Sequence, residues 1–416
     1  MLAITQRLRN NITQEQLFML SAFIVNGGNY LYNLMLGRYL GPTQFADAAI
    51  LITLLLVLSF IAMTYQLTMT KVMVDFTTEQ KKGMIAKIYK YAIGTGLFLG
   101  MITVVFASGL KSVFQTQSSG MFIAFGMAIP LYFIMSVNRG ILQGQNNFTL
   151  LSISYQGEML CRLLLTFSLL LLVDLPSEYA VSIAIGLSFI AGLFPFKKKF
   201  NYNSLSAIIS KTEQKRILLF FILTACYELT QIVCNNSDIL LVKHYFLSYD
   251  AGLYASLALI GRVVYFVTWM FVMLLLPKVL QNRKEGKDAI PVLKKYLGYI
   301  TALSLAIVSF TFIFPTTAVY LLFGEEYVSI APFLGWYALA TSFFALANIF
   351  AYYFLSLDHY MPIVITAIFG ALQVGTIILF HDSLLQVVMD QVYVMAGLLI
   401  AQLCYFSKEQ HRAKKA

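Results

Sequence analysis

Four polar residues within one apolar stretch raise the question of what this chain does. Glu228, Gln231, Asn235 and Asp238 are spaced by three, four and three residues, which puts all four on one face of a helix. Asn26, Asn29 and Asn33 form a second such face, Glu158 and Arg162 lie one turn apart in a third apolar run, and Arg262 sits near the middle of a fourth. An ionisable side chain at the centre of a bilayer costs about 2.5–3.5 kcal/mol on insertion scales, so each needs a reason to be there. The chemistry these residues suit is recognition. The guanidinium groups of Arg162 and Arg262 stay charged and match phosphate oxygens. Together with Asn26, Asn29, Asn33, Gln231 and Asn235, they are predicted to line a shared hydrated cavity and hold an anionic substrate. Glu158, Glu228 and Asp238 are predicted to take a coupling proton or sodium ion. Structural readings stand beside these. Glu158 and Arg162 can neutralise each other across one turn, and the asparagines can join helices by hydrogen bonds. Arg262 has no acidic partner nearby in sequence, which makes it the strongest candidate for a ligand contact.

Other chemistries find no footing. His244, His359, His381 and His411 are scattered near segment ends, and no serine, histidine and acid set can be assembled. Cys161, Cys226, Cys234 and Cys404 lie in apolar segments without metal-ligand spacing, so neither a zinc site nor a disulfide framework is indicated. Gly94-Thr-Gly-Leu-Phe-Leu-Gly100 approaches a dinucleotide-loop pattern but sits inside an apolar run with no strand before it. Its Gly96 and Gly100 suit close helix packing instead. There is no Walker loop. The sequence therefore implies no enzyme, no cofactor and no metal.

The elements that must position these residues follow from composition. Of 416 residues, 59% are hydrophobic and 12% are charged, against about 25% charged in soluble domains. Twelve apolar runs can be marked, near 16–38, 44–70, 88–110, 120–140, 148–173, 178–196, 216–242, 250–277, 296–322, 331–356, 361–380 and 384–406. Each is long enough to cross a bilayer as a helix, which takes about 20 residues. The first run follows a polar start with no small-residue cleavage site and reads as a retained span. The net charge of +10 is mostly positional. With the N-terminus in the cytoplasm, every lysine and arginine except Arg38, Lys111, Lys243, Arg162 and Arg262 falls in a cytoplasmic segment; Arg139 is counted among these. That distribution supports an all-α polytopic membrane protein with about twelve spans and both termini cytoplasmic, and it gives no indication of nucleic acid.

A weak internal repeat aligns Asn26 with Gln231, Asn33 with Asp238 and Arg38 with Lys243. It divides the chain into an N-terminal six-helix lobe (1–196), a basic cytoplasmic linker (197–215) and a C-terminal six-helix lobe (216–416), with a central cavity between the lobes. Pro130 and Pro315 fall within runs and mark candidate kinks.

Four stretches carry a family resemblance. Leu36-Gly-Arg-Tyr-Leu-Gly-Pro-Thr-Gln-Phe-Ala46 resembles the start of the polysaccharide repeat-unit (O-antigen) flippases of the multidrug/oligosaccharidyl-lipid/polysaccharide exporter superfamily. Ser237-Asp-Ile-Leu-Leu followed by Ala251-Gly-Leu-Tyr-Ala is similar to their seventh-to-eighth span signature. Leu276-Pro-Lys-Val resembles the end of the eighth span, and Leu322-Phe-Gly-Glu-Glu-Tyr running into Ala331-Pro-Phe-Leu resembles the loop before the tenth. The resemblance implies two lobes that rock about a central cavity. It also implies a lipid-linked oligosaccharide, of the polyprenyl-pyrophosphate type, moved from the cytoplasmic to the outer leaflet for surface polysaccharide assembly. Its implied partners are that substrate, membrane lipids, and polysaccharide polymerase and glycosyltransferases, and its implied location is the bacterial cytoplasmic membrane. Only Asp238 and Arg38 transfer from the family pattern. A cation- or proton-coupled multidrug antiporter of the same superfamily is the alternative, for which Glu228 and Asp238 would serve. A membrane enzyme ranks third, because no outer loop is long enough to carry its chemistry.

Overall fold

In the computed structural model of the chain, the described residues are 14–76, 78–194, 211–265, 275, 279, 282, 285, 287–355, 357 and 359–415. Arg7, Arg9, the linker as far as residue 210, Leu276-Pro-Lys of the third motif, and Lys278, Arg283 and Lys284 lie outside them, as does most of the second half of the expected eighth span.

The described residues form thirteen α-helices and one 3-10 helix, and no strand is present among them. The helices are α1 (Gln14–Asp75), α2 (Thr78–Val105), α3 (Ala107–Phe114), α4 (Gly120–Gly144), α5 (Phe148–Leu171), α6 (Ser177–Gly192), α7 (Lys211–Tyr245), α8 (Ser248–Gly261), α9 (Ile290–Ile313), α10 (Pro315–Leu322), α11 (Leu334–Leu355), α12 (Met361–Leu379) and α13 (Leu384–Lys415). The 3-10 helix is Glu325–Phe333. Eight helices are long and apolar enough to cross a membrane, and this is an all-α membrane protein. The expected runs map onto these helices where their residues are described, the eighth being described as a helix over Ser248–Gly261. Helix α1 supplies two of them because Gly41 breaks it, with φ 70° and ψ 170°, just before Pro42. Only glycine enters that region without a Cβ penalty, and proline cannot continue the hydrogen-bond ladder. Helix α5 is polar for a span because Glu158 and Arg162 lie within it, and α6 is short at 16 residues. Pro130 is accommodated inside α4, whereas Pro315 begins α10 directly after a break at Phe314.

The chain divides into two compact units, Met1–Asn33 with Asp47–Leu229, and Leu34–Ala46 with Thr230–Ala416. In the first unit, small residues let helices approach closely. A Cβ on Gly96 would lie 2.9 Å from the Pro130 Cα, and one on Gly100 would lie 2.6 Å from the Gly126 carbonyl oxygen, which locks α2 to α4. Gly140 and Gly144 bring α4 equally close to the second arm of α1 at Gln66 and Thr70.

The second unit is built around α11, whose buried residues Phe344, Ala347, Ile349 and Phe350 join cores that include Leu293 and Ile300 of α9 and Met395 and Leu398 of α13. Three of the sequence motifs meet in this unit. The corner 34–46 is held by Tyr327, whose hydroxyl donates to the Gly37 carbonyl (2.7 Å), and by Arg38, which donates to the Leu321 carbonyl (2.9 Å). The buried Phe45 ring packs on Phe323 and Tyr327 at 5.8 and 6.4 Å. Gly252 has no room for a side chain, since its Cβ would fall 1.8 Å from the Pro42 carbonyl oxygen. In this structure the Leu36–Ala46, Ala251–Ala255 and Leu322–Tyr327 motifs are packing elements around one corner.

Candidate functional site

Two buried charged clusters stand out, one in each unit. In the second unit, Asp238 on α7 is 1% exposed and its carboxylate is saturated. Oδ1 accepts from Arg262 Nη2 at 2.7 Å, and Oδ2 accepts from Tyr337 at 2.7 Å, Tyr254 at 3.2 Å and Gln391 at 3.5 Å. Arg262 caps the C-terminus of α8, where a cation also meets the negative end of the helix dipole. Its Nε donates to Tyr337 at 3.0 Å and its Nη1 to Asn236 at 3.3 Å. Beside this pair is a small open recess lined by Cys234, Asn235, Arg262, Thr341 and Gln391, among others. Four helices, α7, α8, α11 and α13, thus converge on one carboxylate. Arg262 is therefore not the unpartnered cation its sequence neighbourhood suggests: Asp238, 24 positions away, neutralises it.

In the first unit the cluster is built on α4 and α5. Glu158 Oε2 is 2.8 Å from Arg139 Nη2, and its Oε1 is 3.7 Å from Arg162 Nη1. Arg139 is further fixed by Ser154, with its Nε on the hydroxyl at 2.9 Å and its Nη2 on the carbonyl at 3.0 Å, and its guanidinium lies 3.9 Å from the centre of the Tyr155 ring. Arg162 donates to the Asn29 side-chain oxygen on α1 and sits 5.5 Å from the Tyr32 ring. Arg139 corrects an expectation. Counted as a cytoplasmic loop charge, it is buried at 4% exposure, because α4 continues five residues beyond it to Gly144. Lys243, counted as an outer-end charge, is also buried and donates to the Ser248 hydroxyl at 2.6 Å.

The remaining predicted residues divide. Gln231 joins α7 to α11 through the Asn348 side chain at 3.2 Å. Asn33 and Asn235 turn back on their own helices, bonding the carbonyls of Asn29 and Gln231. Asn26 is exposed, and Glu228 is half-buried; neither has a hydrogen bond or ion pair among the described residues. The residues that sequence reasoning missed are Arg139, Ser154, Tyr155, Asn236, Tyr254, Tyr337 and Gln391. Only Asn236 carried a usable signal, since it neighbours a nominated asparagine. The described residues contain no group of three or more His, Cys, Asp or Glu placed to hold a metal.

A family model described as "polysaccharide biosynthesis protein" matches residues 35–332. The chain belongs to the polysaccharide biosynthesis protein family. Its fold is shared with solved membrane proteins. The lipid II flippase MurJ, in an inward-closed conformation, is similar with a TM-score of 0.73 and 14% identity, covering 94% of this chain and 87% of that one. A MATE protein solved with MaD3S gives 0.62 and 14% identity, with 96% and 95% covered. A transporter of the MOP superfamily from Pyrococcus furiosus, described as having a binding pocket of reversed polarity, gives 0.56 and 12% identity, with 96% and 94% covered. No curated protein matches. At these identities the structural likeness establishes the fold, and the family is established by the match to residues 35–332. This family member is thus a multi-pass membrane protein with the fold of the MurJ and MATE proteins.

Proposed function

We propose that this protein flips a lipid-linked oligosaccharide, of the polyprenyl-pyrophosphate type, from the cytoplasmic to the outer leaflet for surface polysaccharide assembly, by alternating access. The observation that carries the reading is that a polysaccharide biosynthesis family member with a flippase-type fold buries arginines inside its helical units. Moving a pyrophosphate headgroup through a membrane protein requires replacing its hydration with fixed donors, and guanidinium groups supply these in paired geometry. Arg162 and Arg262 are the substrate contacts in this reading, with Asn29 and Gln231 contributing polar lining. Asp238 and Glu158 act as exchangeable counter-ions: a proton or cation on the carboxylate frees its arginine for phosphate. Glycosyltransferases supply the substrate and a polymerase consumes it.

A second reading, a cation- or proton-coupled multidrug antiporter, is favoured by one observation. Glu228 is a half-buried carboxylate with no counter-charge among the described residues, a feature suited to a proton or an organic cation. A deletion strain separates the two readings. The flippase reading expects lipid-linked oligosaccharide to build up with loss of surface polymer, and Arg262→Ala to reproduce that phenotype while still reaching the membrane. Normal polymer with increased drug sensitivity would favour the antiporter.

A further inference from the structure

The two buried clusters differ in net charge. In the second unit, one carboxylate faces one guanidinium, and all of the Asp238 acceptors and Arg262 donor groups have partners. That site is neutral and its polar atoms are fully partnered. In the first unit, two guanidiniums share one carboxylate, and Glu158 is the one acid paired with either of them among the described residues. A surplus positive charge is therefore held where Arg139 is 4% and Arg162 8% exposed. Uncompensated charge in such a place is costly unless a ligand answers it.

The surplus can be assigned to one residue. Arg139 holds Glu158 at 2.8 Å, is bound twice by Ser154 and lies over Tyr155, so its charge is spent. Arg162 is 3.7 Å from the same carboxylate, and its Nε has no hydrogen-bond partner although the atom is buried. We infer that this cluster is the seat of the substrate's phosphate group, with Arg162 as the group that touches it and Arg139 as a positioning residue that draws Glu158 off Arg162. The inference rests on the flippase reading and deepens it, since a surplus cation suits an anionic headgroup and repels a cationic drug. If Arg139 were absent, Glu158 would neutralise Arg162 and the seat would close.

The test is binding to the purified full-length chain in lipid nanodiscs, with geranylgeranyl pyrophosphate as probe and geranylgeraniol and glucuronic acid as controls. Arg162→Gln should weaken pyrophosphate binding at least tenfold, and Arg139→Gln should do nearly the same. Glu158→Gln should bind at least as tightly as the wild type. The double variant Arg139→Gln with Glu158→Gln restores the surplus charge and should recover affinity to within about threefold, which a merely structural role for Arg139 does not predict. A double variant as weak as Arg139→Gln, or an Arg162→Gln protein that binds like the wild type, overturns the assignment. Arg162-dependent binding of glucuronic acid without pyrophosphate binding overturns the lipid phosphate as the ligand. Failure of the wild type to bind any probe, with lipid-linked oligosaccharide still accumulating in the deletion strain, overturns the seat and leaves the flippase reading standing. Normal polymer in that strain overturns the reading itself.

Discussion

Replacing Asp238 with leucine removes, in one step, the acceptor for Arg262, Tyr337, Tyr254 and Gln391. The largest consequence is Arg262, left charged and 8% exposed without its partner. Breaking a buried pair from one side costs about 3–5 kcal/mol. The stranded tyrosine hydroxyls add to this, though not independently, because all share one carboxylate. A loss of that size is a shift of more than about a hundredfold in the folded-to-unfolded ratio. The companion variant carries Asp238→Leu together with Arg262→Met, which removes both charges. Replacing both members of a buried pair by apolar groups is commonly neutral or stabilising, so the double variant should be recovered more fully than the single. The assay is the fraction remaining monodisperse by size exclusion in detergent after a series of heating steps, alongside the Arg262→Met single variant. If Asp238→Leu alone survives heating as well as the double variant, the two residues are not energetically paired and the neutral, fully partnered description of this cluster is wrong.

Two further outcomes follow from the same structure. Gly252→Ala would place a Cβ 1.8 Å from the Pro42 carbonyl oxygen, a backbone atom that cannot swing aside. Overpacking of this kind costs about 1–3 kcal/mol, so heated detergent samples should lose monodisperse protein sooner than wild type, with Gly298→Ala, which meets nothing within 4 Å, as the neutral control. Glu228→Gln should leave surface polymer unchanged, because the flippase reading places its anion contacts on arginines; loss of drug resistance in that variant, measured in growth assays, would support the antiporter instead.

The spans were legible because twenty-residue apolar runs have few alternatives, and the Gly41-Pro42 pair separated two of them within one helix. That Glu228, Gln231, Asn235 and Asp238 share one helix was also legible, since a helical period fixes which residues align. Their partners were not. Tyr337 and Gln391 reach Asp238 from 99 and 153 residues away, a proximity that only tertiary packing creates. Asn235 shows how far periodicity reaches: it bonds its own helix, and its neighbour Asn236 meets Arg262. Arg139 was misplaced for a physical reason. Near the end of an apolar run, a charge looks like the start of a loop, whereas α4 extends past it and Glu158, Ser154 and Tyr155 supply the environment that lets it stay buried. The four motifs were recognisable as a pattern, but their purpose was not. The structure shows three of them packing around the 34–46 corner, with Gly37, Gly252 and Tyr327 making the close contacts.

The central claim is that this protein carries a lipid-linked oligosaccharide across the bilayer. The most direct measurement reconstitutes the purified chain into vesicles with the lipid-linked oligosaccharide extracted from the deletion strain, and follows its exposure to an externally added sugar-oxidising or lectin reagent. The account predicts protein-dependent movement of the sugar between leaflets that is lost in Arg162→Gln and Arg262→Ala vesicles. Vesicles whose sugar exposure is the same with and without the protein, while an organic cation is moved by it, would contradict the account.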